Sequence, residues 1–262
     1  MWSVNKVVRN CTIRNEGLQE QGRAAIVSNL AERTPPTFRS VRRIGTIAIA
    51  MFITLDGGDG CGKSTQIRLL AEKLQSQGCE VVCCRDPGST PLGDAVRTIL
   101  LNRQELHIAD ITEVFLFTAA RSQLVREVIR PALATGKVVL SDRFLISTFV
   151  YQCYAGGVPT EVLKTISAEA VGETLPDLGI VLDTPYEVAV QRVGDRAAPD
   201  RMERKGEEYH RRVREGFLKY AAESERYVIV DATPSPEEVA DTIWQIVSAT
   251  LSSQPDITKR LF

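Results

Sequence analysis

Gly57-Gly58-Asp59-Gly60-Cys61-Gly62-Lys63-Ser64-Thr65 follows directly on the apolar run Phe52-Ile53-Thr54-Leu55-Asp56, which places a G-x-x-x-x-G-K-S pattern at a strand end. The glycines let successive backbone N–H groups turn toward one anion, and a helix opening at Gly62 aims its positive dipole end at the same point. Lys63 is then the residue that reaches β- and γ-phosphates, and Ser64 offers a hydroxyl to Mg²⁺. A glycine-rich turn that binds nothing is the competing explanation. The helical spacing of Ile67, Leu69, Leu70 and Leu74 just after the motif counts against it.

Further chemistry sits at the ends of later apolar runs. Asp142 closes Val138-Val139-Leu140-Ser141 and is placed to face a phosphate-bound Mg²⁺ or, in the plainer alternative, to cap a helix. Arg143 beside it suits bidentate phosphate recognition. Arg85 and Arg97 flank the rigid stretch Pro87-Gly88-Ser89-Thr90-Pro91, and more arginines than one triphosphate requires imply a second anion. A phosphate monoester fits that role, because it is already a nucleophile at neutral pH and needs only positioning and charge neutralisation. Residues 192–206 are polar, glycine-flanked and arginine-rich, which reads either as a solvated face or as a lid that closes on a transferring phosphoryl group.

The elements that position these residues alternate. Strands are expected at Phe52 to Asp56, Glu80 to Arg85, Lys137 to Asp142, Leu178 to Asp183 and Tyr227 to Asp231. Helices are expected at Gly62 to Gln77, Pro91 to Leu101, Ile111 to Ala134, Arg143 to Tyr154, Thr160 to Thr174, Pro185 to Val193, Gly206 to Glu225 and Ser235 to Leu251. Pro131 should bend or end the longest of these. The pattern is that of an α/β domain with a five-stranded parallel sheet flanked by helices, whose ligands lie beyond the carboxyl ends of the strands.

A chain of 262 residues with 44% hydrophobic residues can bury one good core. Its net charge of −1 gives no whole-chain attraction to nucleic acid, and no stretch approaches the ~20 apolar residues of a membrane span. Six cysteines without paired C-x-x-C units and only two histidines argue against zinc, and point to a reduced, cytoplasmic protein. Residues 1–50 are basic and aperiodic. They are expected to be a disordered extension or, because Met51 precedes the first strand, an over-long gene start; an organelle-targeting peptide ranks lower. Residues 51–251 form the expected domain and 252–262 a tail.

The chain resembles the thymidylate kinases over residues 51–251. The resemblance rests on the phosphate loop, R-D-P-G-S-T at Arg85 to Thr90, E-V-F-L-F-T-A-A-R at Glu113 to Arg121, D-R-F at Asp142 to Phe144, S-T-F-V-Y-Q at Ser147 to Gln152, D-R-M-E at Asp200 to Glu203 and D-A-T at Asp231 to Thr233. It implies the phosphate-loop nucleoside monophosphate kinase fold with a lid, and transfer of the γ-phosphoryl group of ATP to dTMP with Mg²⁺. It further implies a homodimer with dTMP and ATP as ligands; the charge balance and the short apolar stretches argue against nucleic acid or a membrane as partner. By the same resemblance Phe117 stacks on thymine and Arg121 meets the base edge. Tyr151 lies near the sugar, Gln152 lines the base site, Asp59 contacts the 3′-hydroxyl, and Arg97 and Arg143 hold the dTMP phosphate beside Ser147. No basic residue precedes Lys63 within the loop, which resembles the bacterial type with a lid arginine, here Arg196. Arg192 is expected to approach adenine, and Arg201 is instead expected to be a structural partner of Glu203 or a neighbouring carboxylate. Asp86, Ser89, Phe144 and Cys153 depart from the usual pattern, Phe144 by lacking a phenolic hydroxyl. Another phosphate-loop kinase, or a non-catalytic ATPase module, are the alternatives, distinguished by the pocket of Phe117, Arg121, Tyr151 and Gln152.

Overall fold

A computed structural model describes residues 49–194 and 200–253. Five strands, β1 (Met51–Gly57), β2 (Val81–Arg85), β3 (Val138–Asp142), β4 (Leu178–Asp183) and β5 (Tyr227–Asp231), form one sheet in the order β2-β3-β1-β4-β5, and every neighbouring pair is parallel. All five were expected, with bounds that agree within a residue.

Helices cover both faces, and the strands show it by alternation. Met51, Ile53, Leu55, Val138, Leu140, Leu178, Ile180 and Leu182 pack on one side against Ile67, Leu70 and Leu74 of α1 (Lys63–Ser76). The same cluster takes in Val239, Ile243 and Val247 from the last helix. Phe52 and Val139 point the other way, to Leu124, Val125, Ile129 and Phe144, while Val181 meets a third cluster around Phe217. A strand buried on both faces needs a nearly continuous apolar sequence, and β1 is buried along its whole length. The core also reaches back to Ile49, two residues before the expected domain start at Met51, and the last helix runs to Ser253, into the segment expected to be tail.

The long helix expected over Ile111 to Ala134 is three segments: α3 (Asp110–Leu124), a π-type stretch (Val125–Ile129) and α4 (Arg130–Ala134). Pro131 has no N–H to donate, so the widened turn before it absorbs the missing bond and Pro131 falls in the first turn of α4. Two other expected helices also finish in π-type turns. Pro91–Arg97 (α2) continues as Thr98–Asn102, and the helix expected from Arg143 begins later, as α5 (Leu145–Thr148), and continues as Phe149–Tyr154. Arg143 is itself outside the helix, with a left-handed backbone at φ 68°.

The chain order around β1 fixes where the site lies. From β1 the chain crosses to β2 on one side, whereas β4 and β5 lie on the other, so connections diverge on either side of β1 and leave a crevice at its carboxyl end. Leu55 of β1 is paired with Asp142 of β3, and the backbone N–H of Arg143 donates to Leu55 O at 2.9 Å. Asp142 and Arg143 are thereby set beside the loop that leaves β1.

Candidate active site

In the phosphate loop Gly57, Gly60 and Gly62 all have positive φ, of 139°, 78° and 96°. A Cβ at Gly60 would sit 2.4 Å from Ala189 O, so the loop's close approach to the following elements requires glycine there. Lys63 is buried, and its ammonium donates to Gly58 O at 2.7 Å, inside the loop's curve. Cys61 is buried beneath the loop with its thiol 3.6 Å from the same ammonium. Ser64 Oγ donates to Asp142 Oδ2 at 3.1 Å, which joins the first turn of α1 to the end of β3. Oxygen donors of this kind fit Mg²⁺, which usually takes one or two protein ligands and completes its shell with phosphate and water.

Arg143 organises the other half of the crevice. Nη1 donates to Gly57 O at 2.7 Å and to Ser147 Oγ at 3.3 Å, Nη2 is bonded to Asp59 Oδ1 and reaches Tyr151 Oη at 3.2 Å, and the guanidinium lies 5.0 Å from the centre of the Tyr151 ring. Tyr151 in turn donates to the other oxygen of Asp59 at 3.1 Å. Burial alone would raise the Asp59 carboxyl, but Arg143 and Lys63, with the Tyr151 hydroxyl, outweigh it and hold the group down at about 2. Asp59 is therefore a fixed anion that aims Arg143 and Tyr151.

Asp56, which sequence reasoning did not single out as a site residue, supports this group. It is fully buried at the end of β1 and accepts from Ser147 Oγ at 2.7 Å and from the Phe144 N–H at 3.3 Å, which fixes the start of α5. Burial pushes its carboxyl up, against the pull of Ser147 and Arg143. The available signal was a carboxylate at the end of an otherwise apolar strand.

Glu113, Phe117 and Arg121 recur every four residues on α3 and so share one face. Thr148 and Gln152, also four apart, stand opposite. Arg121 Nη2 donates to Thr148 Oγ1 at 2.7 Å, and Gln152 Nε2 donates to Glu113 Oε2 at 3.2 Å. Phe117 lies between these two contacts along α3 and is half-buried. Arg121 is almost wholly buried, forms an ion pair with Asp86 and lies 5.6 Å from the Phe144 ring centre, while its Nη1 has no hydrogen-bond partner among the described residues. Phe144 packs edge-on against Phe52, so a phenyl ring suits this site without a hydroxyl. Cys153 is likewise an apolar filler against Val114, Val158 and Leu163, and burial raises its thiol to about 11. Ser89 keeps the positive φ, 62°, that a glycine would take more readily.

Arg97 Nη1 donates to Pro87 O at 3.1 Å, which holds its side chain against the R-D-P-G-S-T loop. Burial lowers its pKa, with Arg85 and Arg143 adding to the effect. Arg192 Nη1 and Nη2 donate to Ala232 O and Thr233 O at 2.7 and 3.1 Å, so it secures the D-A-T loop after β5. Arg196 lies outside the described residues. Arg201, expected to find a carboxylate, pairs with Glu113 rather than Glu203 and also donates to Leu100 O at 2.8 Å. Glu203 instead accepts from the Asp200 N–H at 2.9 Å, and Asp200 Oδ1 accepts from the N–H groups of Met202 and Glu203. A cavity of about 320 Å³ lies between the back of the phosphate loop, α7 (Tyr186–Val193) and α8 (Glu207–Ala222), with Glu203 and His210 on its wall.

A phosphate loop at a sheet switch point, an aspartate beside its serine and a second guanidinium cluster define a nucleotide kinase of the phosphate-loop class. The thymidylate kinase family profile matches residues 55–243. A thymidylate kinase of Symbiobacterium thermophilum is 47% identical over 205 residues, covering 78% of this chain and 95% of the relative. That of Deinococcus radiodurans is 42% identical over 199 residues, covering 76% and 96%. The crystal structure of thymidylate kinase from Ehrlichia chaffeensis superposes with a TM-score of 0.63 at 27% identity, covering 76% of this chain and 98% of that one. The chain belongs to the thymidylate kinase family.

Proposed function

We propose a division of labour for the reaction a thymidylate kinase carries out, phosphorylation of dTMP to dTDP with ATP as donor. The nucleotide triphosphate lies in the loop Gly57, Gly58, Asp59, Gly60, Cys61, Gly62, Lys63, Ser64 and Thr65, where Lys63 exchanges its loop carbonyls for phosphate oxygens. Ser64 and Asp142 hold Mg²⁺, which when bound neutralises charge on the β- and γ-phosphates. Arg143 and Arg97 hold the dTMP phosphate so that one of its oxygens faces the γ-phosphorus in line. No general base is needed, and positioning supplies most of the acceleration. Lid arginine Arg196 adds positive charge to the transferring group, and Arg192 steadies the loop at the adenine side.

Phe117 and Arg121 take the thymine, and Tyr151, locked by Asp59 and Arg143, leaves no room for a ribose 2′-hydroxyl. The observation that carries this reading is the arrangement of Arg143. One guanidinium bridges Gly57, Asp59, Ser147 and Tyr151, and so ties the donor loop to the acceptor pocket. Arg143→Ala should abolish most dTMP phosphorylation while ATP binding stays near wild type, and full activity in that variant would sink the role.

Two further readings belong with this one. Leu92, Ile99, Ile111 and Phe115 are exposed apolar residues on α2, its π-type extension and α3, two helices that pack together, and they favour a homodimer through that face. Cys61, Cys79, Cys83, Cys84 and Cys153 are all free thiols, which favours the cytoplasm. No helix among the described residues is long and apolar enough to cross a membrane.

A further inference from the structure

Glu113 stands one turn before Phe117 and is 1% exposed, an unusual place for a carboxylate. Each of its oxygens has a partner. Oε1 is bonded to Arg201 Nη1, and Oε2 accepts from Gln152 Nε2 at 3.2 Å with Lys205 Nζ 3.9 Å away. A carboxylate held by two cations only accepts hydrogen bonds, so the Gln152 amide must turn its NH₂ toward Glu113. Its carbonyl Oε1, on the other side of the same amide carbon, is thereby turned away from Glu113.

We propose that Glu113 is the specificity-determining positioning residue of this site: it fixes the polarity of Gln152 so that the pocket presents a hydrogen-bond acceptor beside the donor Arg121. The inference rests on the reading that Gln152 and Arg121 line the base pocket. Arg121 can only donate, and its Nη1 has no partner among the described residues. The pair therefore matches a pyrimidine edge with a carbonyl at C4 and an N–H at N3, as in thymine or uracil. Cytosine presents the reverse at both positions, an amino group toward Arg121 and a bare nitrogen toward the Gln152 carbonyl. Two buried mismatches of this kind reject a ligand far more strongly than a missing methyl does. Because Arg201 and Lys205 belong to the segment that returns from the lid, the same carboxylate holds that limb against α3.

The test is steady-state kinetics with dTMP, dUMP and dCMP on wild type, Glu113→Gln and Gln152→Ala. A glutamine at 113 can accept or donate, so Gln152 is free to invert. The ratio of kcat/KM for dTMP over dCMP should fall about tenfold or more in Glu113→Gln, while KM for ATP stays within about twofold. Loss of structural support alone would lower the active fraction for both acceptors and leave the ratio unmoved. A ratio within about twofold of wild type in Glu113→Gln, with Gln152→Ala impaired toward dTMP, overturns the role of Glu113 and leaves the base pocket standing. If Gln152→Ala leaves both acceptors unaffected, the base-pocket reading fails and this inference with it. Should Glu113→Gln not fold, Glu113→Gln/Arg201→Gln removes the carboxylate together with its partly buried cation and carries the same expectation.

Discussion

Ser64 Oγ and Asp142 Oδ2 lie 3.1 Å apart, the first on the helix that opens after the phosphate loop and the second at the end of β3, 78 residues later. The contact is solvent-exposed and contributes little to the fold. Both oxygens suit the Mg²⁺ proposed for this site. Asp142→Asn should lower kcat by about 10²-fold or more and raise the Mg²⁺ concentration needed for half-maximal rate, with the melting temperature nearly unchanged. A titration of activity against Mg²⁺ checks this, and wild-type kinetics at low Mg²⁺ would remove Asp142 from the site.

Gly60→Ala should damage nucleotide binding and stability together. The residue has φ 78°, and the added Cβ would meet Ala189 O at 2.4 Å, so backbone must move in the loop or in α7. A loss of about 1–3 kcal/mol in urea unfolding and a weakened ATP affinity by calorimetry are expected. Unchanged values in both would show that the loop is more adaptable than its geometry implies.

Arg121 and Asp86 form the most deeply buried ion pair among the described residues, with Asp86 pushed up by burial and pulled down by Arg121. Arg121→Met leaves an unpaired carboxylate inside the protein, so a loss of about 3–5 kcal/mol is expected at neutral pH. Arg121→Met/Asp86→Asn should recover part of it, and chemical denaturation of the three proteins reads the difference. Equal loss in the single and double variants would mean that the pair is not coupled.

The strands and the phosphate loop were legible in the sequence because both are local signals. An apolar run bounded by turn residues marks a strand, and glycines at fixed offsets mark the loop. The turn-level deviations were not. The π-type stretches at Thr98–Asn102, Val125–Ile129 and Phe149–Tyr154 follow helical periodicity closely enough to read as plain helix, although Pro131 did announce the second. Arg143 was assigned to a helix start, whereas its left-handed backbone is imposed by contacts to Gly57 and Asp59, more than 80 residues earlier. Pairings of that range have no local trace, which is also why the roles of Asp56 and Glu113 escaped sequence reasoning. Asp56 is a lone carboxylate in an apolar strand and Glu113 one of two acidic residues in the first turn of α3, and only the fold shows what each holds.

Asp59 makes stability depend on pH in a stated direction. Its folded carboxyl, at about 2, lies below the usual value of 3.8, so the contribution is fully present above about pH 4 and is lost as pH falls toward 2. The shift corresponds to about 2 kcal/mol. In Asp59→Asn that part of the acid-limb slope should be missing, as measured by urea midpoints between about pH 5 and pH 2. An identical acid limb in the variant would show that Arg143 and Lys63 do not hold the carboxylate as the geometry requires.

The function proposed for this crevice is phosphorylation of dTMP. Its most direct test is ADP formation by the purified protein with Mg·ATP and, in separate assays, dTMP, dUMP, UMP, CMP, AMP and GMP. A strong preference for dTMP, with little ADP formed when no acceptor is present, is the predicted result. Preference for another nucleotide, or ATP hydrolysis that does not depend on an acceptor, would contradict the account.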